Sequence, residues 1–100
     1  MERLIGLLHL CRKAGKLLVG QKAVISMSSR GSQPLILTTL DVGSALKRKL
    51  AGYRTITMKW SSDKMGDIFG RDRVSVIGIT DEGMASEIIN LIKSEKLAAV

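Results

Sequence analysis

Residues 74–79 have the sequence Val-Ser-Val-Ile-Gly-Ile, and this run is the strongest strand signal in the chain. Its length and β-branched content are typical of a β-strand. A second run, Leu35-Ile36-Leu37-Thr38-Thr39, follows Pro34 and is nearly continuous in apolar residues, which is typical of a buried strand. The alternation of helices and strands around these runs predicts helices on both faces of one central sheet.

Helical patterns and shorter strand candidates alternate with these two runs. Leu4, Leu7, Leu8 and Cys11 recur at helical spacing, and residues 17–19 and 55–58 have strand character. Cap and stop signals delimit five helices, which are predicted from the N-terminus to Gly15, from Gly20 to near Gly31, from residues 41–44 to Gly52, from Ser61 or Ser62 to Gly70, and from Asp81 onward. The order is therefore a strict alternation of five helices and about four strands, which predicts an α/β protein.

Length and composition predict one domain. The chain has 100 residues, of which 45% are hydrophobic and 25% charged, and no linker or repeat divides it. We expect a single domain over residues 1–100, with residues 93–100 as a fraying tail. The lone Cys11 cannot form an internal disulfide, and no run approaches the roughly 20 apolar residues of a membrane span. These features favour a cytoplasmic protein.

The charge is strongly positive and uneven. The net charge is +7, and the stretch from Arg3 to Leu40 contains basic residues and no acidic one. A field of one sign over so many residues is typical of a surface that binds a polyanion. An acidic membrane surface is disfavoured as the partner, because the basic residues do not lie opposite an aromatic-rich apolar helix face. A basic protein with no polyanion partner is the other interpretation.

Catalytic signatures are weak. His9 and Cys11 lie two residues apart on one predicted helix and point to different sides, so they cannot hold one metal ion together. The segment from Gly15 to Lys22 resembles a phosphate-binding loop, but Gln21 and Lys22 occupy the lysine and hydroxyl positions that such a loop requires. We therefore expect no enzyme activity, no catalytic residues, no metal and no cofactor.

The same segment still favours phosphate binding. Gly20 allows a ligand to approach the backbone closely, and the first N–H groups of the following helix carry the positive end of its dipole. Lys16 and Lys22 flank this point on either side. The alternative is that Gly20 only turns the chain.

Three segments carry a resemblance to a known family. They are Ala14-Gly15-Lys16-Leu17-Leu18-Val19-Gly20 running into the second helix; the strand at residues 35–39 leading to Asp41 and a lysine-rich helix; and Met65-Gly66-Asp67-Ile68-Phe69-Gly70-Arg71-Asp72-Arg73-Val74 with residues 76–83 behind it. In this order and spacing they resemble the kink-turn-binding ribosomal protein family, the L-seven-Ae superfamily, and especially its small bacterial YlxQ-like branch.

The resemblance implies a three-layer α-β-α sandwich with a central mixed four-stranded sheet and about five helices. It also implies non-catalytic binding of structured RNA, either ribosomal RNA or another kink-turn RNA, with the ribosome as a partner. RNA would meet the start of the second helix, and a loop before the last strand would close over a flipped base. The implied RNA-binding residues are Lys16, Gly20, Gln21, Lys22, Ala23, Ser26, Arg71, Asp72 and Arg73. Charge and Gly20 independently indicate the surface at the start of the second helix. They do not indicate the surface at the loop that contains Arg71, Asp72 and Arg73.

Three positions depart from the family pattern. Better-known members have Asn-Glu where this chain has Lys22-Ala23, and a lysine where it has Ser26. Ala23 has no side-chain acceptor for a guanine edge, so backbone and phosphate contacts would have to carry the affinity. The missing acceptor favours one alternative, a protein-interaction module of the same fold that has lost RNA specificity. A second alternative, an RNA-substrate-binding partner of a separate modification enzyme, stays open because similar folds precede methyltransferase domains.

Overall fold

The computed structural model describes residues 1–99, which form five helices and four strands in strict alternation and confirm the predicted order. The helices are α1 (Glu2–Lys13), α2 (Gln21–Ser29), α3 (Ser44–Lys49), α4 (Ser62–Phe69) and α5 (Glu82–Ser94). The strands are β1 (Leu17–Val19), β2 (Leu35–Thr38), β3 (Thr55–Thr57) and β4 (Val76–Ile79). Within residues 1–99, no helix is long and apolar enough to cross a membrane.

The four strands form one mixed sheet in the order β1-β4-β2-β3. β4 pairs antiparallel with both β1 and β2, whereas β2 pairs parallel with β3. The two central strands, β2 and β4, are buried at every position. They are the two apolar runs that the sequence marks most strongly, because a central strand covered on both faces excludes water from both sets of side chains.

Helices cover both faces of the sheet, which confirms the α-β-α sandwich. Successive side chains of a strand point to opposite faces, so Leu35 and Leu37 of β2 belong to one core cluster and Ile36 to another. The larger cluster packs the apolar sides of α1, α4 and α5 against the sheet. The smaller cluster packs α2 and α3 on the other face, through Val24 and Leu46.

The C-terminal segment differs from the prediction. α5 ends at Ser94, but the Leu97 carbonyl accepts a hydrogen bond from the Lys59 N–H (2.9 Å), and the Ala99 N–H donates to the Thr57 carbonyl (2.8 Å). Residues 97–99 therefore pair with residues 57–59, the last residue of β3 and the two that follow it, so this part of the predicted tail is hydrogen-bonded to the sheet edge. Val100 lies outside the described residues. The reason is that an edge strand exposes unpaired backbone groups that a later segment can satisfy.

Candidate nucleic-acid interface

A groove of about 400 Å³ opens at the end of the sheet where β1 ends and β4 begins. Three chain segments line it, namely the start of α2, the start of α3 and the segment that leads into β4. The lining residues are Gly20, Gln21, Gly43, Ala45, Leu46, Arg71, Arg73, Val74, Ser75 and Val76. The structure thus brings the two surfaces named in the sequence analysis into one groove and adds α3 as a third wall.

Gly20 joins β1 to α2 at the floor of the groove. Its N–H donates to the Val76 carbonyl (2.9 Å), so the pairing of β1 with β4 continues for one residue before the chain turns. Its φ of 98° lies in a region that other residues rarely adopt. A Cβ at this position would lie 3.8 Å from the Arg71 guanidinium Nη1, which places the Arg71 side chain over the start of α2.

The two helices that begin at the groove have glycine at the N-cap. Gly20 precedes α2 and Gly43 precedes α3, and glycine has no side chain that could accept from the first N–H groups of a helix. The other capped helices differ: the Ser61 hydroxyl accepts from the Lys64 N–H in α4, and the Asp81 carboxylate accepts from the Met84 N–H in α5. The first N–H groups of α2 therefore stay available to a ligand or to water.

Residues 71–73, here called the arginine loop, are held tightly against α4. The Arg71 N–H donates to the Gly66 carbonyl (2.9 Å), and the Val74 N–H donates to the Ser62 carbonyl (3.1 Å). A Cβ on Gly66 would lie 2.6 Å from the Arg71 carbonyl oxygen, a distance that no real packing allows. The close approach of loop and helix therefore requires glycine at position 66.

The two arginines of this loop have different surroundings. The Arg73 Nε donates to the Ser62 hydroxyl (3.2 Å), and the guanidinium forms ion pairs with Asp41 (3.5 Å) and Asp63 (3.4 Å). Among residues 1–99, no carboxylate lies within ion-pair distance of Arg71. Within the described residues, the charge of Arg73 is therefore compensated by carboxylates and the charge of Arg71 is not.

Asp41 ties the loop after β2 to the start of α4. Its carboxylate accepts from the Ser62 hydroxyl (2.7 Å) and from the Ser62 N–H (2.8 Å). These hydrogen bonds, that of the hydroxyl first, hold the pKa of Asp41 far below its ordinary range, because they stabilise the charged carboxylate. This pair of hydrogen bonds, here called the Asp41–Ser62 clamp, fixes one wall of the groove. Because the two residues lie 21 positions apart, no local sequence pattern indicated the clamp.

Lys16, predicted to lie near the start of α2, lies away from the groove. Its carbonyl accepts from the Thr80 N–H (2.9 Å), beyond the far end of β4, whereas Gly20 pairs with Val76 at the near end. The three residues of β1 separate the two positions, and a strand rises about 3.3 Å per residue. Lys16 therefore lies at the opposite end of the strand from the groove.

The remaining predicted residues do not line the groove. Lys22 and Ser26 are exposed and lie one turn apart on α2, Ala23 is half-buried between them, and Asp72 is exposed between the two arginines. The α3 wall was not predicted from the sequence. Gly43 before a helix repeats the pattern of Gly20 before α2, but only the strand order shows that both helices begin at the same end of the sheet.

A comparison with protein-family models and with curated proteins found no match. The fold is similar to that of a solved structure from Bacillus halodurans C, a protein described as having unknown function. The TM-score is 0.75 and the sequence identity is 25%, over 90% of this chain and 96% of that chain. The fold and the groove together define a small α-β-α sandwich protein with a cationic cleft at one end of its sheet.

Proposed function

We propose that the protein binds structured RNA of the kink-turn kind through this groove and does not catalyse a reaction. The observation that carries the proposal is the convergence of Arg71 and the positive end of α2 at one groove, with Lys22 next to the lining residue Gln21 in the chain. Backbone N–H groups at a helix start favour phosphate oxygens, and an arginine above them adds a charged, directional donor.

The position of Lys22 supports an anionic ligand. It lies in the first turn of α2, where a positive charge opposes the helix dipole and lowers helix stability. The other long helices, α1 and α5, have an acidic residue in their first turn, as the dipole favours. A cation in the unfavourable position is expected where the helix start serves a negatively charged partner.

The scarcity of aromatic side chains favours folded RNA over single strands. Single-strand binders stack bases on exposed aromatic rings. This chain has only three aromatic residues, of which Phe69 and Trp60 are buried in the core. Tyr53 is partly exposed but does not line the groove. Shape and phosphate contacts are therefore the basis of the proposed recognition.

The proposal takes its RNA class and its location from the family resemblance and the composition. Ribosomal RNA is the kink-turn source that the resemblance favours, and the lone buried Cys11 suits a reducing cytoplasm. The half-buried Ala23 offers no side-chain acceptor, so backbone and phosphate contacts carry most of the affinity.

The first experiment compares the affinity of the protein for a kink-turn, a plain duplex and a single strand of equal length. We expect the kink-turn to bind most tightly. We also expect Arg71→Ala to weaken that binding by about 1 kcal/mol, through loss of a phosphate contact. Lys93→Ala, which removes an equal charge from α5 on the other face, is the matched control and is expected to leave the affinity unchanged.

Three other results would contradict the proposal. Equal affinity for all three RNAs would indicate a basic surface that does not recognise shape. No binding to any RNA would favour the protein-interaction module of the same fold. Co-purification with an RNA-modification enzyme, together with RNA binding only in that complex, would favour the substrate-binding partner.

Ala23→Glu tests whether guanine edges face this part of α2. A carboxylate beside phosphates is repelled, by about 1 kcal/mol at a partly exposed site. If the RNA presents guanine N–H donors there, the same carboxylate accepts from them, so binding to the kink-turn tightens while binding to a plain duplex weakens. We expect this second pattern. Uniform weakening for all RNAs would show that no guanine edge meets position 23.

A further inference from the structure

The two helical layers of the sandwich differ in charge. Asp41 apart, the acidic residues belong to α1, α4, α5 and the segments beside them. The layer formed by α2 and α3, over residues 20–31 and 42–52, contains basic residues and no acidic one. We call the outer surface of this layer the basic layer. Its basic residues are Lys22, Arg30, Lys47, Arg48 and Lys49.

The charges of the basic layer are exposed and uncompensated. All five side chains are exposed, and within residues 1–99 none lies within ion-pair distance of a carboxylate. The dipole of α3 favours cations in its last turn and so accounts for residues 47–49. It does not account for Lys22 at the start of α2, nor for the absence of any acidic residue from both segments. A field of one sign over a whole layer is suited to a polyanion.

The basic layer is continuous with the groove through α3. Ala45 and Leu46 in the first turn of α3 line the groove, and Lys47, Arg48 and Lys49 follow immediately. Since a helix rises about 1.5 Å per residue, the six residues of α3 span only about 9 Å. A phosphate backbone that leaves the groove along α3 therefore meets this cationic turn at once.

We propose that the basic layer binds the phosphates of a double-helical RNA stem continuing from the RNA in the groove. A double helix presents its phosphates at fixed positions on a rigid surface, so cations on one layer can contact several without the entropic cost of ordering a flexible strand. Tyr53 beside α3 is the one partly exposed aromatic ring at this layer, which is too few for base stacking. The inference rests on the proposed function and names the part of the RNA that α3 contacts.

The test uses two variants, each of which removes three positive charges from a different helical layer. One variant combines Lys47→Gln, Arg48→Gln and Lys49→Gln, and its matched control combines Lys64→Gln, Lys93→Gln and Lys96→Gln, so the change in net charge is the same. Both variants and the wild-type chain are titrated with a kink-turn RNA whose stems are long, about ten base pairs, or short, about four. Circular dichroism and urea unfolding check that both variants fold, which glutamine at exposed positions is expected to allow.

We expect the α3 variant to bind the long-stem RNA about tenfold more weakly. We also expect the negative slope of log affinity against log salt to become shallower, by about two to three. Its binding to the short-stem RNA changes less than about threefold, and the control variant is close to wild type on both. Equal losses in the two variants would attribute the effect to net charge alone and overturn the inference. Equal losses on long and short stems would also overturn it.

The failure of this inference is distinguishable from failure of the proposed function. If Arg71→Ala weakens binding but the α3 variant behaves like its control, the groove binds RNA and the stem contact is refuted. If the wild-type chain binds neither RNA, the proposed function fails and the stem contact fails with it.

Discussion

Gly66 lies in α4 directly against the backbone of the arginine loop. A Cβ there would lie 2.6 Å from the Arg71 carbonyl oxygen and 2.7 Å from that of Asp72, and both are backbone atoms that cannot rotate away. We predict that Gly66→Ala displaces the loop, lowers the free energy of unfolding by about 1–3 kcal/mol, and weakens RNA binding because Arg71 leaves the groove. Urea unfolding and an RNA titration measure the two effects.

Gly6→Ala is the control for that substitution. Gly6 lies in α1, is exposed, and has no atom within 4 Å of the position that a Cβ would take. The same methyl group should there raise stability by about 0.5–1 kcal/mol, because alanine loses less backbone entropy in a helix. Equal effects of the two substitutions would mean that the arginine loop does not pack on α4 as described.

Asp41 makes the stability of the groove wall dependent on pH. Its folded-state pKa is lowered by the Ser62 hydroxyl and N–H. It therefore contributes stability above its unfolded pKa of about 4, and this contribution disappears as the pH falls further and the folded carboxyl becomes protonated. We predict that the urea midpoint of the wild-type chain exceeds that of Asp41→Asn at pH 7, and that the difference shrinks steadily below pH 4.

Asp67→Asn is the control for the pH experiment. The Asp67 side chain is exposed on α4 and makes no hydrogen bond or ion pair within residues 1–99. Its substitution should change the urea midpoint little at any pH. A constant difference between wild type and Asp41→Asn from pH 7 to pH 2 would show that the charge of Asp41 does not stabilise the clamp.

At the scale of the element, the start of α2 combines features that a helix optimised only for stability would avoid. It has a glycine N-cap and a lysine in its first turn. We predict that Lys22→Ala raises the free energy of unfolding by about 0.3–1 kcal/mol, since it removes a cation from the positive end of the dipole and adds a better helix former. The same change should weaken RNA binding by about 1 kcal/mol.

These two opposite effects distinguish a binding role from a structural one. Thermal unfolding measures the change in stability, and titration with the kink-turn RNA measures the change in affinity. Loss of stability together with loss of binding would mean that Lys22 holds the fold. Gain of stability with unchanged binding would place the RNA away from α2.

At the scale of the whole molecule, the charge of +7 is concentrated on one layer and at one groove. If Lys22, Arg71 and the last turn of α3 each contact a phosphate, the slope of log affinity against log salt should be roughly −3 to −5. Titrations from 50 to 300 mM salt measure it. Affinity that stays flat over this range would remove electrostatics as the basis of binding.

The order and kind of the elements could be predicted from the sequence, because they depend on local spacing. Apolar residues at helical period, β-branched runs and glycines at helix ends are all properties of short windows. The residues lining the groove were predicted less completely. Gly20 followed from the pattern at the start of a helix, Gln21, Arg71 and Arg73 came from the family resemblance, and the α3 wall was missed.

The sequence by itself therefore determined the alternation of helices and strands, the two strongest strands and the excess of positive charge. Only the tertiary structure decided that β4 lies between β1 and β2, and with it that the start of α2 and the arginine loop meet. Within residues 1–99 it also gave Arg73, but not Arg71, carboxylate partners, placed Lys16 at the far end of β1, and paired residues 97–99 with residues 57–59. Each of these depends on contacts between residues distant along the chain, whose pairing no local pattern specifies.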